Sequence, residues 1–122
     1  MLNLLKTRFQ EVQRRSSAFD YTSLRYMRER SERITMLRGV AQPIESCVDQ
    51  GVMLTVFHEG SYGYAATSDM SVDGIEKALT TAGNWARLCA PSCTDYTSLV
   101  LPHPQGSYES PVDKSWRSVS LR

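Results

Sequence analysis

The sequence predicts an α+β domain, in which a mainly antiparallel sheet of four or five strands packs one face against two helices and is followed by an irregular C-terminal segment. Three observations carry this prediction. Residues 2–17 place their apolar side chains at three- and four-residue steps, and residues 22–67 change to a period of two punctuated by Arg-Gly and Glu-Gly pairs. Residues 72–88 then return to helical spacing. A chain of 122 residues has the size of one domain, and its 41% apolar and 22% charged content is that of a soluble globular protein. It lacks the run of about 18 apolar residues that a membrane span needs.

Taken in order, Leu2, Leu5, Phe9 and Val12 form one stripe of an amphipathic helix that carries Lys6, Arg8, Gln10, Gln13 and Arg14 on its other side. The polar residues between its leucines leave no continuous apolar region or cleavage site, so it is not a secretory signal and a cytoplasmic setting is expected. In residues 22–29, Leu24 and Tyr26 alternate with Arg25 and Met27, the pattern of a strand. A second strand is expected at 31–37, and Arg38-Gly39 turns it into a third from Val40 to Val48. Pro43 offers no amide donor and places that third strand at a sheet edge or bulge.

After Asp49-Gln50-Gly51, the run VMLTVFH is apolar on both faces and should be the central strand. Glu59-Gly60 closes a hairpin onto SYGYAATS, with Tyr62, Tyr64 and Ala66 on one face and Gly63, Ala65 and Thr67 on the other. The low second face admits a helix or a ligand, and Tyr62, Gly63, Tyr64, Ala65 and Thr67 are the candidate peptide-binding or interface residues. Ser68, Asp69 and Ser71 can each cap a helix whose apolar positions are Ile75, Ala78, Leu79, Ala82, Trp85, Ala86 and Cys89 and which Pro91 ends. Residues 1–90 thus form the domain, and 91–122, holding four of the five prolines, read as an irregular extension across the surface or a linker towards a further domain.

Net charge divides unevenly: residues 1–38 hold nine Lys or Arg against four acids, and residues 39–122 hold five against nine. The arginines are spread over a helix and alternating strands, which reads as a solvated face rather than a nucleic-acid site. Cys47, Cys89 and Cys93 are odd in number and fit reduced structural thiols. His58-Glu59 invites comparison with zinc peptidase helices, but no second histidine follows one turn later and the segment is a hairpin. Cys89, Cys93 and His103 offer three ligands at most without a CxxC pair. No nucleophile elbow, P-loop or dinucleotide fingerprint is present, so no catalytic residue and no metal ligand is assigned.

The order of these elements resembles the N-terminal domain of the TldD/PmbA family of zinc-dependent (modulator of DNA gyrase) proteases. The matching residues are Asp20-Tyr21-Thr22-Ser23-Leu24-Arg25, Ser31-Glu32-Arg33-Ile34 with Gly39, Gln50-Gly51-Val52-Met53-Leu54, and Gly60 through Ser71 (GSYGYAATSDMS). The stretch Gly106-Ser107-Tyr108-Glu109-Ser110-Pro111-Val112 with Val119-Ser120-Leu121 is similar to the family's lead into its next helix. Gln50 stands where the family has arginine, Tyr64 where it has phenylalanine and Ser68 where it has asparagine, and Met53 interrupts a small or β-branched run.

The resemblance implies a non-catalytic fragment or truncated relative of such a metallopeptidase, contributing to subunit pairing and to admission of unfolded peptide. Its zinc, bound in the family by HExxxH and a later cysteine, would belong to a C-terminal domain, so no cofactor is expected in this chain. The implied partners are a TldD/PmbA-type subunit or a second copy, and unfolded peptide; neither a membrane nor a nucleic acid is expected. The alternative is a free-standing peptide-binding module that works by β-strand addition.

Overall fold

A computed structural model describes residues 1–16 and 18–120. Helix α1 spans Leu2–Arg15 and buries Leu5 and Val12, with Phe9 packed beside them. The strands are β1 (Tyr21–Arg33), β2 (Met36–Leu37), β3 (Val40–Ala41), β4 (Glu45–His58) and β5 (Ser61–Thr67), and helix α2 runs from Val72 to Cys89. β1, β4 and β5 form one antiparallel sheet with β4 in the middle, and β2 and β3 make a separate two-stranded ribbon.

The main sheet therefore has three strands where four or five are predicted. The predicted break at Arg30 does not occur, because Glu29-Arg30-Ser31 contains no glycine, proline, asparagine or aspartate and β4 supplies a continuous partner from Phe57 to Glu45. Asp49-Gln50-Gly51, expected to separate the third strand from the central one, is also strand. Gly51 pairs with Met27, and a Cβ there would lie 2.9 Å from the Thr67 carbonyl oxygen. Its glycine serves the close passage of β5, not a reversal. Pro43 falls in the gap between β3 and β4, where no ladder bond is lost.

Both dipeptide turns are as predicted. Arg38 (φ 51°) with Gly39 (φ 78°), and Glu59 (φ 50°) with Gly60 (φ 79°), take positive φ at consecutive central positions, the type I′ geometry whose twist matches a hairpin.

One face of the sheet carries Thr22, Leu24 and Tyr26 of β1, Val52, Leu54 and Val56 of β4, and Ser61, Gly63, Ala65 and Thr67 of β5. The helices cover this face. Leu54, Val56, Ile75 and Ala82 are wholly buried, and burying one such leucine or isoleucine contributes roughly 1.5–3 kcal/mol. Contact with α2 is closest at Gly63, where an added Cβ would fall 2.6 Å from the Ala86 amide nitrogen and against the Ala82 carbonyl oxygen. Ser71 caps α2 by accepting from the Gly74 amide at 3.1 Å. Arg15 pairs with Glu76 at 3.3 Å and ties the two helices together.

Candidate functional site

Three surfaces remain once the helices are docked. The first is the outer face of the sheet. Tyr21, Phe57 and Tyr62 occupy adjacent positions across β1, β4 and β5, and their rings meet at 5.7 Å and 5.6 Å. The segment after α2 folds back over this row. The Tyr96 amide donates to the Gly60 carbonyl oxygen at 2.8 Å, its ring meets that of Tyr62 at 5.7 Å, and the Tyr21 hydroxyl donates to the Pro102 carbonyl oxygen at 3.1 Å. His103 packs on Tyr21 with 5.2 Å between ring centroids, and Lys6 donates to Gln105 at 3.2 Å.

Between the crossing segment and the sheet lies a cavity of about 440 Å³. Tyr21, Phe57, Tyr96 and the run Leu99–Leu101 form its walls, with Asp20 and Glu59 among its polar groups. Asp20 accepts from the Glu59 amide at 2.8 Å, which fixes its carboxylate beside the hairpin. The hydroxyl and amide of Thr97 both donate to Asp95, and these bonds hold its carboxyl below the ordinary carboxylate range.

The second surface is an arm. β5 ends at Thr67 opposite Val52, whereas β1 and β4 continue pairing from Met27 with Gly51 out to Arg33 with Glu45. This two-stranded ribbon extends roughly 20 Å past the third strand. Its tip is apolar: Ile34, Met36, Leu37, Val40 and Ile44 are 51%, 60%, 60%, 62% and 48% exposed. Glu29 faces Asp49 on one side of the ribbon, while Arg28 and Arg30 project from the other.

The third surface is a cavity of about 380 Å³ beside β5, lined by Tyr62, Gly63, Tyr64, Trp85, Cys89 and Cys93. Trp85 belongs to the helical apolar spacing, yet it stands 52% exposed there because it overhangs the strand instead of pointing under it.

Of the five residues singled out from sequence, Tyr62, Gly63 and Tyr64 meet at this edge cavity, and Ala65 and Thr67 do not line it. Tyr62 and Tyr64 lie on the outer face, 40% and 61% exposed, whereas Gly63, Ala65 and Thr67 point towards α2. The spacing of Asp20 and Tyr21, Phe57 and Glu59, and Tyr96 gave no signal of one cavity, because the chain returns to it three times. Phe57 alternating in phase with Tyr62 across the Glu59-Gly60 turn is the one sequence clue to the aromatic row.

His58 ends β4 with its Nδ1 buried and unpaired, and its Nε2 lies 4.0 Å from Glu59 Oε1. Its ring packs edge-on against Phe19 at 5.8 Å. Among the described residues no three His, Cys, Asp or Glu side chains are grouped to hold a metal ion, so the donors present do not fit a zinc site. No described helix is long and apolar enough to cross a membrane.

The family model described as PmbA/TldA metallopeptidase domain 1 matches residues 22–86, more than half of the chain. The chain belongs to this metallopeptidase family and carries its first domain. No curated protein matches it. The family's first domain here takes in the arm, the central strand, the β5 hairpin and nearly all of α2. Helix α1 and the segment that crosses the outer face lie outside the match, so the aromatic cavity joins matched strands to an unmatched strap.

Proposed function

We propose that this domain serves a peptidase of its family without catalysing, by pairing with a related subunit or a second copy and by helping to admit unfolded peptide. The observation that carries the reading is the arm, whose tip gathers five exposed apolar residues within eleven positions while the rest of the ribbon is mainly charged and polar, with Met27 and Val48 its exposed apolar residues. Such a cluster on an otherwise polar projection marks a protein contact. In this reading the zinc and its ligands belong to another domain of the assembly, and three free cysteines support a reducing, cytoplasmic setting. Sedimentation of the chain over a range of concentrations, alone and with Met36→Asp and Val40→Asp together, tests self-pairing. Association that the double substitution abolishes supports it, and a wild-type chain that stays monomeric throughout refutes it.

One observation favours the second reading, strand addition by an extended peptide. From Glu45 to Gly51, β4 is paired on one side only, so its other edge presents free backbone groups in line with β5. A heptapeptide of alternating valine and threonine should shift the amide signals of that edge; unchanged signals there refute strand addition.

A further inference from the structure

We propose that the cavity under the strap is a side-chain subsite for an organic cation, the guanidinium or ammonium group of an arginine or lysine in an extended peptide. The proposal rests on the peptide-admission reading and names the side chain that this reading leaves open.

The chemistry of the lining selects the ligand. Tyr21, Phe57 and Tyr96 present aromatic surface, and a cation over such a ring is attracted by its quadrupole. Asp20 and Glu59 supply negative charge at the same cavity, and Asp95, outside its lining, stands next to Gly60. Among the described residues no lysine or arginine lines the cavity, and His103 is the basic side chain in its wall. An apolar side chain would satisfy the rings and gain nothing from the carboxylates, which stand exposed at the rim. A compact metal ion fails for a different reason, since no three donors among the described residues are grouped to hold one. A diffuse cation on a flexible apolar stem satisfies both sets of groups at once.

The site is also fixed before any ligand arrives. Asp20 is held by the Glu59 amide, and Asp95 by Thr97; the strap is pinned at Gly60 and Pro102. A volume of about 440 Å³ is ample for one long side chain. The strap wall, from Tyr96 to His103, lies beyond the segment that matches the family model.

The test is an amide NMR titration of the whole chain with Nα-acetyl-arginine amide, and separately with its uncharged norleucine counterpart. Both probes are too short to add as a strand. Arginine is expected to shift the signals of Asp20, Tyr21, Glu59 and Gly60 with a Kd of about a millimolar, and norleucine to bind at least about fivefold more weakly. Glu59 is an exposed turn residue, so Glu59→Gln should fold normally and weaken arginine binding about threefold. Equal binding of the two probes, or shifts confined to other surfaces, overturns the proposal. The heptapeptide of valine and threonine separates the two levels. If it shifts the strand edge while arginine amide has no preference for the cavity, the subsite is refuted and the strand-addition form of peptide admission stands. If arginine amide binds as expected and the heptapeptide does not, the subsite stands and strand addition falls.

Discussion

Replacing Gly63 by alanine should destabilise the domain by about 1–2 kcal/mol, the balance of two opposed terms. The new Cβ would sit 2.6 Å from the Ala86 amide nitrogen and 2.8 Å from the Trp85 Cβ. The amide belongs to the helix backbone, so no single side chain can swing away; α2 must lift by roughly 1 Å, and overpacking of this kind costs about 1–3 kcal/mol. Against that, Gly63 has no positive φ, so alanine fits its backbone and stiffens the unfolded chain, returning about 0.4–1 kcal/mol. Urea unfolding followed by far-UV circular dichroism reads the difference, and thermal unfolding should show a midpoint temperature lower by about 4–8 °C for a chain of this size. Tyr64→Phe, on the exposed face of the same strand, is the control and should stay within about 0.5 kcal/mol. An alanine variant as stable as the wild type would refute helix packing as the reason for the small-residue face. A loss of peptide binding without loss of stability would return Gly63 to the candidate site.

Ser71→Ala removes the side-chain acceptor for the Gly74 amide and should cost about 1 kcal/mol in the same unfolding assay. Hydrogen bonds from the Ser71 hydroxyl and amide hold the Asp69 carboxyl below its ordinary 3.8. Its contribution is therefore complete above that value and is lost as pH falls through the lower folded-state value. Melting temperature should decline on acidification below about pH 4, and Asp69→Asn should flatten that decline. Glu29 and Asp49 stand directly opposite on one side of the arm, so Glu29→Lys should turn a repulsion into an attraction and stabilise by about 0.2–1 kcal/mol, read by denaturant midpoint.

Local chemistry was legible in the sequence where a residue's role depends on its near neighbours. The Arg38-Gly39 and Glu59-Gly60 turns, the Ser71 cap and the central place of VMLTVFH all follow from backbone preference and apolar pattern. Strand continuity was not legible, because it depends on the partner. Asp49-Gln50-Gly51 has turn composition, and only the unbroken ladder to β1 keeps it extended. The candidate residues on β5 were placed on opposite faces correctly, yet which face the helices would take is decided by volume: Gly63 admits α2 where Tyr62 and Tyr64 cannot. The strap was the least legible part. Its docking relies on single contacts from Tyr96, Pro102 and His103, which leave no periodic trace.

The arm also bears on which of the two proposed contacts the domain favours. A ribbon with free edges invites indiscriminate pairing, and proteins blunt such edges with charge. Here Arg28, Glu29, Arg30, Glu32, Arg33, Glu45 and Asp49 line the ribbon among the apolar Met27 and Val48, while five exposed apolar residues gather at its end. Charge along the edges weakens strand addition but leaves the tip free to dock. Replacing Glu45 and Asp49, the charged residues on the free segment of β4, by threonine should then raise affinity for the valine-threonine heptapeptide severalfold and promote concentration-dependent precipitation, with self-association through Met36 and Val40 unchanged. If the same substitutions abolish association and leave peptide affinity as it was, the charged ribbon itself is the subunit contact, and the apolar tip is not.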